Sequence, residues 1–198
     1  MRRGPGRGAS VLISGPAGAG KSHLARYFRE CGLNAFDADD VPDLSHVVDL
    51  SGRRRTLTKD EWHRWEGLQW VWDAPRLRKL LSGKEGVYLF GHADNMYSFL
   101  PLFARCYYLR ASPSLIRRRL NARKGNDFGK SEPQRRQVFR TLRPWELQAR
   151  RAGFTVLDAA LPPARIMALL HGPVRSARSA RTKEPKYHAS VRAREDAP

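Results

Sequence analysis

Apolar residues come in short runs separated by longer amphipathic stretches, and this alternation predicts the elements. Val11-Leu-Ile13 is a run bounded by Ser10 and Ser14, and it reads as a first strand. Lys21 to Cys31 then follows a helical period, and Gly32 stops it. A second strand is expected over Asn34 to Asp37. The clearest buried strand is Val87 to Phe90, and Arg105 to Leu109 and Phe154 to Leu157 supply two more. Between them lie helical patterns over Leu115 to Arg123, opened by Ser112 or Ser114, and over Pro133 to Ala152, with an interruption expected near Pro144. Pro163 to Leu170 reads as a closing helix. Strands alternating with helices predict an α/β fold: a parallel sheet of about five strands with helices on both faces.

The stretch Val41 to Thr58 is polar and turn-rich, with weak helical potential. Thr58 and Glu61 have capping-box spacing. They predict a helix carrying Trp62, Trp65, Gln69 and Trp72 on one stripe and reaching Leu81. Lys124 to Pro133, polar with two glycines, reads as a mobile loop. After Gly172 apolar residues thin out, so residues 172–198 are expected to form a disordered basic tail. Residues 1–9 are expected to be a flexible basic N-terminus, leaving 10–171 as the folded domain.

At 198 residues and 41% hydrophobic content, a single core is sufficient for stability. No run approaches the roughly 20 apolar residues of a membrane span, and Val11 to Ile13 is too short for a signal-peptide core. A cytoplasmic protein without membrane contact, monomeric or dimeric, is the expectation. Cys31 and Cys106 lack CxxC or metal-ligand spacing and read as two buried, reduced thiols. The formal charge is +18; the tail contributes +4, the N-terminus +3, and residues 8 to 171 the remaining +11. Such a balance fits nucleic-acid binding through the basic surface and tail, a site for several phosphates, or the codon bias of a GC-rich genome.

The chemistry concentrates in Gly15-Pro-Ala-Gly-Ala-Gly-Lys21-Ser22, which satisfies G-x-x-x-x-G-K-[ST] between a strand and a helix. A loop of this kind turns its backbone N–H groups, and the positive end of the following helix, toward phosphate oxygens. Gly15, Ala17, Gly18, Ala19, Gly20, Lys21, Ser22 and His23 are therefore candidate ATP contacts. Lys21 is placed for the β/γ-phosphates and Ser22 for Mg²⁺. A GTPase-type N-K-x-D motif and an apolar strand ending in a D-E pair are both missing from the sequence.

Phe36-Asp-Ala-Asp39-Asp40 resembles the D-x-D element of shikimate and gluconate kinases, and Arg119-Leu-Asn-Ala-Arg123 resembles the R-x-x-x-R that opens the lid of adenylate-kinase-like enzymes. The resemblance to this P-loop small-molecule kinase group spans most of residues 10 to 170. It implies a P-loop NTPase three-layer fold, a lid over about 119–133 after the fourth strand, and an acceptor-covering segment over about 41–82. It further implies ATP and Mg²⁺ as cofactors, Asp39 orienting or deprotonating the acceptor, Asp37 on the metal, and Arg119 and Arg123 closing over the phosphates. Lys21, Asp39 and Arg123 are the catalytic candidates. Gly91 and His92 stand where shikimate kinases have a Gly-rich turn beside the substrate, and with Arg55 and Asp39 they are the acceptor-side candidates. Arg143, Arg150 and Arg151 are candidates for one further phosphate contact.

Bland readings stand beside these. The Asp run also fits a solvated turn, the arginine pair a solvated basic face, His92 a structural histidine, and the tryptophans a buried helix stripe. The expectation is a kinase for a nucleoside, nucleotide, polyol or shikimate-like acid; the alternatives are a polynucleotide- or RNA-end kinase and a non-catalytic ATP-binding regulator.

Overall fold

The computed structural model describes residues 9–64, 66–82, 86–123, 128–129 and 131–171. The expectations for both termini, for Trp65 and for most of the 124–130 loop lie outside the described residues.

Five strands form a parallel sheet: β1 (Val11–Ser14), β2 (Ala35–Asp37), β6 (Tyr88–Phe90), β7 (Arg105–Arg110) and β8 (Thr155–Asp158), in the order β2-β6-β1-β7-β8. Side chains alternate across a strand, and that alternation divides the core. Val11, Ile13, Tyr88, Phe90, Tyr107 and Leu109 face one side with Leu24 and Phe28 of α1 (Lys21–Glu30) and Ile166 and Leu170 of α6 (Pro163–His171). Leu12, Leu89 and Tyr108 face the other, with Leu77 of α3 (Ala74–Ser82), Met96 and Phe99 of the 3₁₀ helix Met96–Leu102, and Ala149 of α5 (Glu132–Arg151). The result is the expected three-layer α/β fold. Phe28 is the hinge of the first layer, its ring meeting Tyr88 and Phe90 edge-on at 5.3 and 5.2 Å.

The segment between β2 and β6 departs from expectation. Residues 41–58 are not weakly helical: they contain β3 (Ser45–Asp49) and β4 (Arg54–Arg55). The helix expected from Thr58 to Leu81 is three elements: α2 (Lys59–Arg64), β5 (Leu68–Trp72) and α3. β4, β3 and β5 make a separate antiparallel sheet. The capping box is present, with Glu61 Oε2 accepting from Thr58 N at 2.9 Å and Thr58 Oγ1 from Glu61 N at 3.3 Å. It starts only a short helix, because Leu68-Gln-Trp-Val-Trp72 is aromatic and β-branched with every second residue turned to a partner strand. Trp72 is thus buried from a strand rather than on a helix stripe with Trp62.

Two smaller corrections concern α5 and the thiols. α5 runs unbroken through Pro144; its two halves are anchored to different cores, Val138 to one and Ala149 to the other, which holds the helix together across the missing N–H. Cys31, expected to be buried, is exposed at the end of α1. Cys106 is half-buried, and burial pushes its thiol up to about 11.

Candidate active site

The site forms at the carboxyl ends of β1, β2 and β6, on loops that leave the sheet where its strand order reverses. Gly15 opens the P-loop. A Cβ there would stand 2.8 Å from the carbonyl of Leu109, so a side chain would push the loop off β7. Gly18 lies over Ile116 and Leu120 of α4 (Pro113–Ala122), and Gly20, in the left-handed region, caps α1 beside Arg119. Ala19 is buried and Ala17 packs on the same core. Ser22 is exposed in the first turn of α1, while His23 turns outward to Arg26, 3.3 Å away.

Lys21 folds back over the loop. Its Nζ donates to the carbonyls of Gly15 at 2.8 Å and Pro16 at 3.0 Å. Burial lowers its basicity, the nearby Asp39 and Asp37 oppose that, and Arg123 adds to it. Two carboxylates and one guanidinium therefore lie within electrostatic reach of the Lys21 ammonium. Asp37, at the end of β2, is buried, and its Oδ1 accepts the Asp39 N–H at 3.1 Å. Asp39 projects beyond it. Burial raises its pKa first, then Asp37, while Lys21 and the hydrogen bond from Trp70 hold it down. The four sequence candidates Lys21, Asp37, Asp39 and Arg123 are thus brought together.

Arg119 reaches across from α4, donating Nη1 to Ala19 O at 2.8 Å and Nη2 to Ala159 O at 2.9 Å. It ties the P-loop to the turn after β8. Arg123, half-buried at the C-cap of α4, lies one turn on.

The acceptor-side candidates separate. Gly91 donates to Ile13 O at 3.1 Å, and a Cβ on it would come within 2.6 Å of the Ala38 Cβ and 2.9 Å of the Trp72 ring. Its visible task is to let the antiparallel sheet close on the end of β6. His92 stacks on Trp145, ring centroids 3.9 Å apart, with Nδ1 3.3 Å from Ser14 Oγ. Burial, then the charge of Lys21, pushes its pKa down to about 3, so the ring is neutral. Arg55 lies on β4 and is engaged by Glu61 at 2.9 Å and Asp49 at 3.9 Å.

Four side chains on this side were not singled out for the contacts they make. Trp70 donates its indole N–H to Asp39 Oδ1 at 3.1 Å. Asp94 and Asn95 hold that strand in place. Asp94 Oδ2 accepts from Trp70 N at 2.7 Å, and Asn95 bonds both backbone groups of Trp72 at 2.9 Å. The fourth is Gln134, fully buried, which accepts from Gly129 N at 2.9 Å and donates to Trp62 O at 2.8 Å. Phe128 and Trp70 both meet the Trp62 ring edge-on, at 6.0 and 6.4 Å. A chain of contacts thus runs from the end of the lid segment through Trp62 and Trp70 to Asp39. Alternation in residues 68–72 was the available signal for Trp70; nothing local marked Gln134.

Mg²⁺ fits what is present. Among the described residues no group of three or more His, Cys, Asp or Glu is placed to hold a metal by itself, and Mg²⁺ in phosphoryl-transfer sites uses one or two protein oxygens plus the substrate's phosphates. Ser22, exposed in the first turn of α1, and Asp37, at the end of β2, offer such oxygens beside the loop.

A family model described as an AAA domain (AAA_18) matches residues 11–140, which hold the P-loop, the Asp pair and the start of α5. The chain belongs to that family. No curated protein matches this AAA domain. Among solved structures it is similar to a shikimate kinase from Bacteroides thetaiotaomicron (18% identity, 82% of this chain and 98% of that one, TM-score 0.49). It is also similar to a gluconokinase from Sinorhizobium meliloti 1021 (19%, 83% and 90%, 0.46) and a deoxyadenosine kinase from M. mycoides (14%, 81% and 96%, 0.47).

Proposed function

We propose that this AAA domain transfers the γ-phosphoryl group of Mg-ATP to a hydroxyl or phosphate oxygen of a small molecule held between the P-loop and the antiparallel sheet. The observation that carries the reading is Asp39: a carboxylate in electrostatic contact with the P-loop lysine and fixed by the Trp70 indole.

The residues divide the work. Backbone N–H groups of the loop and the start of α1 hold the phosphates. Bound phosphate replaces the Gly15 and Pro16 carbonyls as the partner of Lys21, adding negative charge that offsets the desolvation of its ammonium. Ser22 and Asp37 would hold Mg²⁺, which would neutralise charge on the phosphates. Asp39 orients the acceptor hydroxyl. As the acceptor oxygen bonds to the γ-phosphorus and the bond to the β-phosphate oxygen breaks, Asp39 takes the hydroxyl proton. Arg123 stabilises negative charge on the moving group, and Arg119 keeps the lid helix in register with the loop.

ADP release from Mg-ATP, measured against a panel of nucleosides, nucleotides, polyols and shikimate-like acids, tests the reading. Stimulation by one class is expected and names the acceptor. Tight ATP binding with no stimulation by any of them would replace the kinase with an ATP-binding regulator.

A further inference from the structure

The excess positive charge is confined to one part of the fold. Residues 9–104 carry 12 Lys/Arg against 12 Asp/Glu, whereas residues 105–151 carry 14 against 3. Codon bias enriches arginine but gives no reason for the excess over carboxylates to fall in this one segment. The basic segment comprises β7, α4, the lid and α5.

Within α5 the arginines are ordered. At 100° per residue, Arg136, Arg140, Arg143, Arg150 and Arg151 fall within roughly a 100° arc, opposite Gln134, Val138 and Ala149, which are buried. All five are exposed. Arg136 and Arg150 are paired to Glu132 at 3.5 Å and Glu146 at 2.8 Å. Arg140, Arg143 and Arg151 have no carboxylate partner among the described residues, and they extend about 16 Å along the helix axis. The arginines of α4 adjoin this stripe, because the Arg117 guanidinium lies over the ring of Phe139 in α5, 5.5 Å from its centroid. Arg118 is exposed beside it.

Arg143 also borders, with Arg110, an open cleft of about 500 Å³ next to Pro16 of the P-loop. Tyr108 lines the same cleft. It is almost wholly buried, and its hydroxyl has no hydrogen-bond partner among the described residues. The two carboxylates there are engaged, Glu146 by Arg150 and Asp158 by the Ala160 N–H at 2.9 Å. The cleft therefore offers two unpaired guanidinium groups and an unused hydroxyl.

We infer that the exposed face of α5, continued by α4 and the Arg110–Arg143 cleft, binds the sugar-phosphate backbone of a nucleic acid. Unpaired guanidinium groups in line fit a repeating phosphate, and 16 Å spans roughly five phosphates of one strand. The stripe presents no exposed aromatic side chain for base stacking, since Trp145 is stacked on His92 and the half-buried Phe139 ring is covered by the Arg117 guanidinium; recognition is therefore of backbone and not of sequence. Leu147 is the single large apolar side chain exposed on α5, too little apolar surface for a helix that lies in a lipid interface. This inference does not depend on phosphoryl transfer.

The test is fluorescence anisotropy of the full chain with a labelled 20-nucleotide oligouridylate, without ATP, from 50 to 300 mM NaCl. Wild type is expected to bind, with log affinity falling linearly against log salt. Arg140→Glu/Arg143→Glu/Arg151→Glu should weaken binding at least about ten-fold at 100 mM and flatten the slope by about 2, three phosphates at ~0.7 each. The matching triple lysine variant should stay within about three-fold of wild type. So should Arg26→Glu/Arg78→Glu/Lys79→Glu, which reverses three charges in the balanced half. Thermal melting checks that the variants fold; should the triple fail, Arg140→Glu alone should weaken binding about three-fold. The inference is overturned by any of four results: no binding at 50 mM salt, an α5 triple without effect, an equal loss from the control triple, or capture by phosphatidylserine vesicles without oligonucleotide binding.

Discussion

The two sides of the cleft are built differently. On the nucleotide side, one unbroken run from Gly15 to Ser22 supplies the loop, its lysine and its hydroxyl. The long-range contacts there only brace it: Gly15 against Leu109, and Arg119 on Ala19. On the acceptor side the key contacts join residues far apart in sequence: Asp39 with Trp70, Trp70 with Asp94, and Trp62 with Gln134. A phosphate is recognised largely by backbone N–H groups, which a short Gly-rich run can present by itself. An acceptor must be recognised by side chains, and those are set by packing. The first kind of site should therefore fail abruptly when one residue is changed, and the second should degrade in steps.

Four substitutions sharpen that contrast. Lys21→Ala should have the largest effect, lowering ADP release by on the order of 10³-fold, because it removes a charge from the phosphate cradle; steady-state turnover at saturating ATP reads it. Arg123→Ala should cost on the order of 10²-fold in kcat with little change in Tm, and wild-type turnover would remove Arg123 from the site.

Gly91→Ala should show itself in stability. Its Cβ meets Ala38 and the Trp72 ring, neither of which is a flexible chain end. A loss of about 1–3 kcal/mol is expected in a urea titration, with KM for the acceptor raised as the antiparallel sheet is displaced.

Trp70→Phe should have the smallest effect and the most specific one. It keeps a ring but removes the donor that favours ionised Asp39. Asp39 is held above the ordinary carboxylate value by burial first, and the proposed mechanism uses its ionised form, so activity should fall as pH drops through that pKa. Losing the N–H raises the pKa further. The acid limb of kcat against pH should therefore move to higher pH, with the plateau lowered only a few-fold. An unmoved limb would show that the indole does not tune Asp39.

Legibility in the sequence follows the same division. β1, β6 and the P-loop could be read because a buried parallel strand is a continuous apolar run and a phosphate loop is contiguous. The region from β3 to β5 could not. The Trp62, Trp65, Gln69 and Trp72 spacing has a helical period, while Leu68 to Trp72 also alternates as a strand, and only pairing with Ser45 to Asp49 decides between them. The Asp pair was visible as a motif, but the indole that orients Asp39 depends on that pairing. Gln134 was hidden for a different reason: a glutamine one turn into a polar helix carries no mark of burial until Trp62 and Gly129 close on it.

The central claim is that Asp39 serves the acceptor and not the nucleotide. Asp39→Asn tests it most directly, with Mg-ATP affinity and acceptor-stimulated ADP release measured on the same preparation. The account predicts an affinity within a few-fold of wild type and a stimulated rate lower by on the order of 10²–10³-fold. A wild-type stimulated rate would contradict it, and so would loss of ATP binding in step with turnover.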